Sequence, residues 1–216
     1  MNDKLIEKLY STKENGYYSF VRWDVISSLK RKYRNVLDIG CGDGSTLQEL
    51  KKLQLAECVV GLDLICKEPR VAFSHPDEFL VGNIENIELP YEDGYFDLII
   101  CADVIEHLID PWNVLKNLHR LLGEGGNIVA SFPNVSYRKI LRNLIFRNDF
   151  EYVESGILDR GHLRFFTIKT ALKMIRESGY KNVEVVPIYG KTKDKILSKV
   201  LPKRFCCGQF ILVGEK

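Results

Sequence analysis

No stretch of this 216-residue sequence approaches the roughly 18 consecutive apolar residues that a membrane-spanning helix needs, which argues against an integral membrane protein. The opening residues, Met1-Asn-Asp-Lys-Leu-Ile-Glu-Lys8, hold no apolar signal-peptide core, so export is not expected. There is no CxxC pair and no disulfide-scaffold spacing among the six cysteines, Cys41, Cys58, Cys66, Cys101, Cys206 and Cys207. A structural zinc site is therefore not expected, no metal is assigned, and a reduced cytoplasmic setting is the simpler reading. Adjacent Cys206 and Cys207 read as small apolar residues, with a redox or soft-metal pair as the alternative. Internal repeats and low-complexity segments are also missing.

What remains is ordinary for a soluble domain: 45% apolar and 28% charged residues, at a length that one α/β domain accommodates. The formal net charge of +2 hides an asymmetry. Residues 1–135 carry 14 basic against 21 acidic side chains, a balance of −7, and residues 136–216 carry 17 against 8, a balance of +9. The basic later part suits an anionic partner, such as a phosphorylated or sugar-type small molecule, nucleic acid or a membrane face; a solvated basic surface is the plain alternative.

Residues 1–33 read as a helical, polar-aromatic lead containing Tyr17-Tyr18, Phe20 and Trp23. From Asn35 onward short apolar runs alternate with helical patterns, the signature of a parallel sheet wrapped by helices. Strands are expected at Val36–Ile39, Val59–Asp63, Phe79–Val81, Asp97–Cys101, Asn127–Ser131, Val183–Val186 and Gln209–Val213. Helices are expected at Ser45–Leu53, from Asp110-Pro111 to Leu122, and from Thr167 to Glu177, with Asp110 and Thr167 as N-caps. Residues 134–166 are basic and aromatic without a clean period and read as a lid-like insertion. A short helix at Lys195–Val200 is expected within the basic segment 191–204.

Asp38-Ile-Gly-Cys-Gly-Asp-Gly44 lies between the first strand and the first helix of this series, where glycines permit a tight turn and a close approach of ligand to backbone. Asp63 ends the next strand, where a carboxylate can accept both ribose hydroxyls. The order strand, loop, helix, strand, terminal acid indicates a nucleoside-containing ligand. A dinucleotide fingerprint spaces its glycines G-x-G-x-x-G around a pyrophosphate. Here the spacing is Gly40-x-Gly42-x-Gly44, with Asp38 and Asp43 flanking the loop. Negative charge there disfavours pyrophosphate and suits an amine or sulfonium, which selects S-adenosylmethionine over NAD.

The runs VLDIGCGDG at 36–44, GLD at 61–63, GNIENIELPYEDGYFDLII at 82–100, ADVIEHL at 102–108 and LLGEGGN at 121–127 resemble the class I S-adenosylmethionine-dependent methyltransferases, in the subgroup of ubiquinone and small-molecule enzymes. The resemblance implies a Rossmann-like, seven-stranded, mostly parallel sheet with strand 7 antiparallel and helices on both faces, as one domain over 1–216. It implies that Asp38 and Gly40 lie beside the methionine moiety, Gly42 by the sugar, Asp63 on the ribose hydroxyls and Leu64 against the adenine. Asn83, where such enzymes usually carry Asp, and Ile84 would border the adenine ring, and Cys41, Ala102 and Asp103 complete the cofactor set. Ser131-Phe-Pro-Asn134, residues 156–167 (GILDRGHLRFFT) and the Tyr17-Tyr18 pair are similar to methyltransferases found at surface-polysaccharide and glycosyltransferase loci.

Methyl transfer is an in-line displacement in which the enzyme chiefly aligns the acceptor, and a general base is needed when that acceptor is a hydroxyl. His107, after the fourth strand, and His162, in the insertion, are the candidates for this role. The alternatives are that Glu106 and His107 shape the cofactor pocket and that His162 pins the lid. His75 and His119 read as surface positions. Arg138, Arg142, Arg160 and Arg164 are candidates for holding an anionic substrate, and Tyr137 and Tyr152 for stacking on it. Phe165 and Phe166 read rather as the lid's own core.

Three other readings compete. An NAD-dependent oxidoreductase is disfavoured by the glycine spacing. A nucleic-acid methyltransferase is disfavoured because neither N-P-P-Y nor D-P-P-Y occurs. An enzyme acting on a quinone or lipid-linked acceptor would lay residues 191–204 on anionic lipid.

Overall fold

The computed structural model describes residues 20–64 and 77–216; Tyr17-Tyr18, Cys66 and His75 lie outside the described residues. Its strands are β1 (Tyr33–Ile39), β2 (Ala56–Asp63), β3 (Glu78–Val81), β4 (Phe96–Cys101), β5 (Leu122–Pro133), β6 (Lys181–Ile188) and β7 (Gln209–Glu215). They form one sheet in the order β3-β2-β1-β4-β5-β7-β6, with β7 antiparallel to both its neighbours and the other pairs parallel. The chain leaves β1 outward to β2 and β3, then returns to the other side of β1 with β4. That reversal opens a crevice at the carboxyl ends of β1 and β4, the place where doubly wound sheets bind ligands.

The described helices are α1 (Trp23–Ser28), α2 (Ser45–Lys52), α3 (Pro111–Leu121), α4 (Arg138–Arg147), α5 (Ile168–Glu177), α6 (Thr192–Leu197) and α7 (Lys203–Cys206). Alternation along the strands divides the core into two layers. Val36, Leu98 and Ile100 face Val25, Leu47 and Leu50 of α1 and α2. Leu37, Ile99 and Cys101 face Leu115, Leu118, Ala171 and Ile175 of α3 and α5. Such strands are buried on both faces, which is why they read as continuous apolar runs.

Helix starts follow their capping chemistry. The Asp110 carboxylate accepts the Asn113 N–H at 3.1 Å, with Pro111 as the first helical residue. Thr167 and Thr170 exchange hydrogen bonds at 3.2 and 3.0 Å in a capping box at the start of α5.

Four expectations are corrected. The stretch between the expected helix end at Leu122 and the expected strand start at Asn127 belongs to β5, which begins at Leu122 and shifts register against β4 between Phe96 and Leu98. Glycines there support an irregular strand: a Cβ on Gly126 would stand 2.8 Å from the Gly123 carbonyl oxygen. The segment 134–166, expected to lack a clean period, contains a ten-residue helix, α4; Ile140, Leu141, Leu144 and Ile145 recur along it at helical spacing, yet none of its residues is buried. The short helix of the basic segment begins at Thr192 rather than Lys195. Finally, His119 does not face open solvent; it is half-buried, its ring edge-on to Tyr180 with centroids 5.0 Å apart.

Candidate active site

Three glycines turn the chain at the end of β1. Gly40, Gly42 and Gly44 have φ of +71°, +58° and +76°, the left-handed region that costs other residues conformational energy. Gly40 is further constrained because a Cβ there would lie 2.5 Å from Val104 Cγ2. The turn is closed by backbone bonds from Gly40 N to Leu62 O (2.7 Å) and Gly44 N to Cys41 O (2.9 Å), and by Gly42 N donating to Asp63 Oδ2 (2.8 Å).

Above the turn lies a cavity of about 430 Å³. All ten positions expected to hold the cofactor line it: Asp38, Gly40, Cys41, Gly42 and Asp63 from the first two strands and their ends, and Leu64, Asn83, Ile84, Ala102 and Asp103 around the rim. His107 lines it as well. Asp43 does not; its carboxylate accepts the Ser45 N–H at 3.0 Å and serves the start of α2.

Asp38 is nearly sealed from solvent, and its Oδ1 has no hydrogen-bond partner among the described residues. Burial, with Asp63 nearby, pushes its carboxyl up to about 8 against the opposing pull of Arg22. Cys41 and Cys101 are raised by burial and by Asp38, so neither presents a thiolate.

Sequence reasoning missed Arg22, which lines the cavity and crosses to its far wall. Its guanidinium donates to both Asp24 oxygens at 2.9 and 2.8 Å and to Asp103 Oδ2 at 2.7 Å. Burial alone would lower its pKa, but Asp24 and Asp103 outweigh that and hold it protonated. Asp103 itself has φ +58°, a strained conformation fixed by surrounding bonds. Its N–H donates to Ser131 Oγ at 2.9 Å, that hydroxyl donates to Asp103 Oδ1 at 2.7 Å, and Gln209 Nε2 donates to the same oxygen. Phe20 and Thr46 also reach the cavity without any motif to mark them, and Glu85 and Leu108 do so from within the 82–100 and 102–108 runs.

The set fits a nucleoside ligand that carries a cation and a carboxylate. Glycine backbone admits close approach, Asp63 stands where ribose hydroxyls would be accepted, the Asp38 oxygen left without a partner among the described residues offers a site for a positive group, and Arg22 supplies the one guanidinium that lines the cavity among them.

On the opposite rim the 3₁₀ turn Ile105–His107 carries the candidate base. His107 Nδ1 lies 2.9 Å from the Gly161 carbonyl oxygen. A carbonyl only accepts, so Nδ1 holds a proton, and whenever the ring is neutral its lone pair is on Nε2. His162 is buried behind it, with ring centroids 4.8 Å apart and its own Nδ1 3.1 Å from Ile157 O. The cavity wall does not include His162, so its place is that of a support to His107 rather than a group in contact with substrate. Glu106 is wholly buried, 4.0 Å from His162 Nε2, and burial followed by Asp103 raises its carboxyl well above the usual range. Its backbone oxygen accepts the N–H groups of Leu163 and Arg164 at 2.8 and 2.9 Å, tying the lid to the turn.

Four of the six residues expected to hold substrate or stack on it make other contacts. Tyr137 is buried, and its hydroxyl donates to Asp194 Oδ2 at 2.9 Å. Arg138 bonds Asp194 Oδ1 at 2.5 Å. Arg160 is exposed and pairs with Glu154 at 2.9 Å, while Arg164 donates to Ile109 O at 2.5 Å. None of them lines the cavity. An arginine fork suits a protein carboxylate or carbonyl as well as a ligand's, and here the protein supplies the partner. Phe166 is buried edge-on to Phe132, and Phe165 packs with Phe150 and Tyr152, as lid core.

Comparison with known proteins places this arrangement. A family model described as a methyltransferase domain matches residues 13–185. The ubiquinone biosynthesis O-methyltransferase of Acinetobacter baylyi is 29% identical over 157 residues, covering 68% of this chain and 63% of the relative. That of Albidiferax ferrireducens is 31% identical over 151 residues, covering 67% and 55%. The chain thus spans less than two thirds of the length of these relatives. Among solved structures, an S-adenosylmethionine-dependent methyltransferase from Mesorhizobium loti superposes with a TM-score of 0.64 at 19% identity, over 89% of this chain and 96% of that one. Phosphoethanolamine N-methyltransferase 2 of Haemonchus contortus, solved with S-adenosyl-L-methionine, gives 0.60 at 15% identity, over 100% and 57%. At these identities the structural likeness speaks for the fold.

Proposed function

Since the chain belongs to the methyltransferase-domain family and carries the class I S-adenosylmethionine-dependent fold, we propose that it transfers a methyl group from S-adenosylmethionine to a hydroxyl oxygen of a small, sugar-type acceptor. When bound, the cofactor supplies a methyl carbon made electrophilic by an adjacent sulfonium. Asp63 would hold the ribose, Asp38 the cationic part of the methionine moiety, and Arg22 its carboxylate.

The single observation that carries the oxygen acceptor is the bond between His107 Nδ1 and the Gly161 carbonyl. It places the ring's proton on Nδ1, which makes Nε2 the atom that would take the acceptor's proton, and a base is needed for a hydroxyl but not for a carboxylate or a neutral amine. The named O-methyltransferase relatives support the same acceptor atom. The sugar-type preference rests on the 131–134 and 156–167 runs, which resemble enzymes of polysaccharide loci. A quinone-type phenol is the second reading, favoured by the ubiquinone relatives.

The test is transfer of labelled methyl groups to a panel of nucleotide sugars, glycans and quinone precursors. Labelling of a sugar hydroxyl, with kcat falling on the order of 10²–10⁴-fold in His107→Ala at unchanged cofactor affinity, is the expected result. Labelling of quinone precursors and of no sugar overturns the acceptor class. Undiminished kcat in His107→Ala overturns the base.

A further inference from the structure

The lid helix and the segment between β6 and β7 leave a surface that the methyl-transfer site does not use. Helix α4 has no buried residue, and near its end Ile145 and Phe146 are 68% and 81% exposed. It carries Arg138, Lys139, Arg142 and Arg147 and no acid. The segment 191–204 repeats the composition, with six basic residues against one acid and with Ile196 and Val200 61% and 84% exposed.

The two stretches are fastened together. The one acid, Asp194, is 1% exposed and is bonded by Tyr137 and Arg138 at the start of α4. Asn134, fully buried, donates to the carbonyl oxygens of Arg204 and Cys207 at 2.7 and 2.8 Å. The only negative charge in either stretch is therefore turned inward and neutralised. What faces outward is protruding apolar side chains set among cations.

We propose that α4 and residues 191–204 together form a docking face for an anionic lipid bilayer. Aliphatic tips flanked by Lys and Arg match an interface whose acyl region accepts the apolar atoms and whose headgroups accept the charge. A second copy of the chain fits less well, because a two-fold contact would set these cations against one another. Nucleic acid would meet the charge and could stack on Phe146, but has no use for exposed Ile145, Ile196 and Val200, which offer no stacking surface. The face also has a suitable position: α4 follows the carboxyl end of β5, the sheet edge on which the cavity opens. The docking does not depend on the methyl-transfer reading.

The experiment is co-sedimentation of the full chain with vesicles of phosphatidylcholine alone or mixed with phosphatidylglycerol, at about 0.1 M salt, where the Debye length is about 10 Å. Binding to the mixed vesicles only is expected. The double variant Phe146→Asp/Val200→Asp is expected to weaken it about tenfold or more, while Lys116→Glu, on the exposed side of α3, leaves it within about twofold. Unchanged melting temperatures in both variants exclude unfolding as the cause. Four results overturn the proposal: no sedimentation with anionic vesicles, equal binding by the double variant, full release by inorganic phosphate at matched phosphate concentration, or a dimer in light scattering that the double variant dissolves while vesicle binding is absent.

Discussion

Asp38 places a carboxyl where water hardly reaches, and its protonation therefore links folding to ligand binding. An unfolded chain releases this proton near pH 4, whereas the folded chain keeps it to about pH 8. Between those values the unfolded state binds fewer protons, so this group's contribution to apo stability falls as pH rises. A cationic ligand favours the ionised form, so affinity for S-adenosylmethionine should climb with pH and level off above about 8. Calorimetric titration across that range checks this, and Asp38→Asn should flatten the profile; a pH-independent wild-type affinity would contradict it. Two positions along, Gly40→Ala combines a left-handed φ with a Cβ 2.5 Å from Val104 Cγ2. Destabilisation of about 1–3 kcal/mol is expected from strain and clash together. Adding Val104→Ala should restore the part due to the clash, measured by chemical denaturation in a double-mutant cycle.

At the scale of elements, the latch between α4 and α6 makes its own prediction. Burial would raise the Asp194 carboxyl, but the bonds from Arg138 and Tyr137 overcome it and hold it below the usual carboxylate range. A carboxylate with a lowered folded pKa stabilises above its unfolded pKa and stops doing so as pH falls through the folded value, so the latch should loosen in acid. Asp194→Ala should loosen it at every pH, with faster hydrogen exchange over 138–147 and unchanged exchange in β1 and β4. This latch also marks where the sequence stopped being readable. The glycine turn, Asp63 and the strand series could be recognised because local chemistry dictates them: glycine takes those φ values at least cost, and doubly buried strands must be apolar. Arg22 could not, since its meaning comes from Asp103, 81 residues away. Arg138 was legible as a binder of an acid but not of which acid, for Asp194 sits in a run of lysines where it looks incidental, and Tyr137, read as a stacking group, bonds the same carboxylate. Helix α4 was hidden although Ile140, Leu141, Leu144 and Ile145 recur at helical spacing, because that short stretch lies inside a longer segment, 134–166, that has no single period.

For the whole molecule, ligand binding and stability are one equilibrium. A ligand at about 100 times its Kd adds about 2.7 kcal/mol. In a domain of this size that raises the melting temperature by roughly 5–10 °C. S-adenosylhomocysteine should produce such a shift in a thermal scan and NADH should not; the reverse pattern would return the cavity to a dinucleotide. The order β5-β7-β6 bears on how this state is reached. The strand latest in sequence lies between two earlier ones, and its first residue, Gln209, bonds Asp103 across the cavity rim. Neither β5 nor β6 can find its final neighbour until a segment some 80 residues downstream of β5 slides between them, a non-local step of the kind that slows folding. The cofactor pocket is thus among the last features to mature, and recovery of ligand binding during refolding is a clock for the sheet's completion rather than for its early collapse.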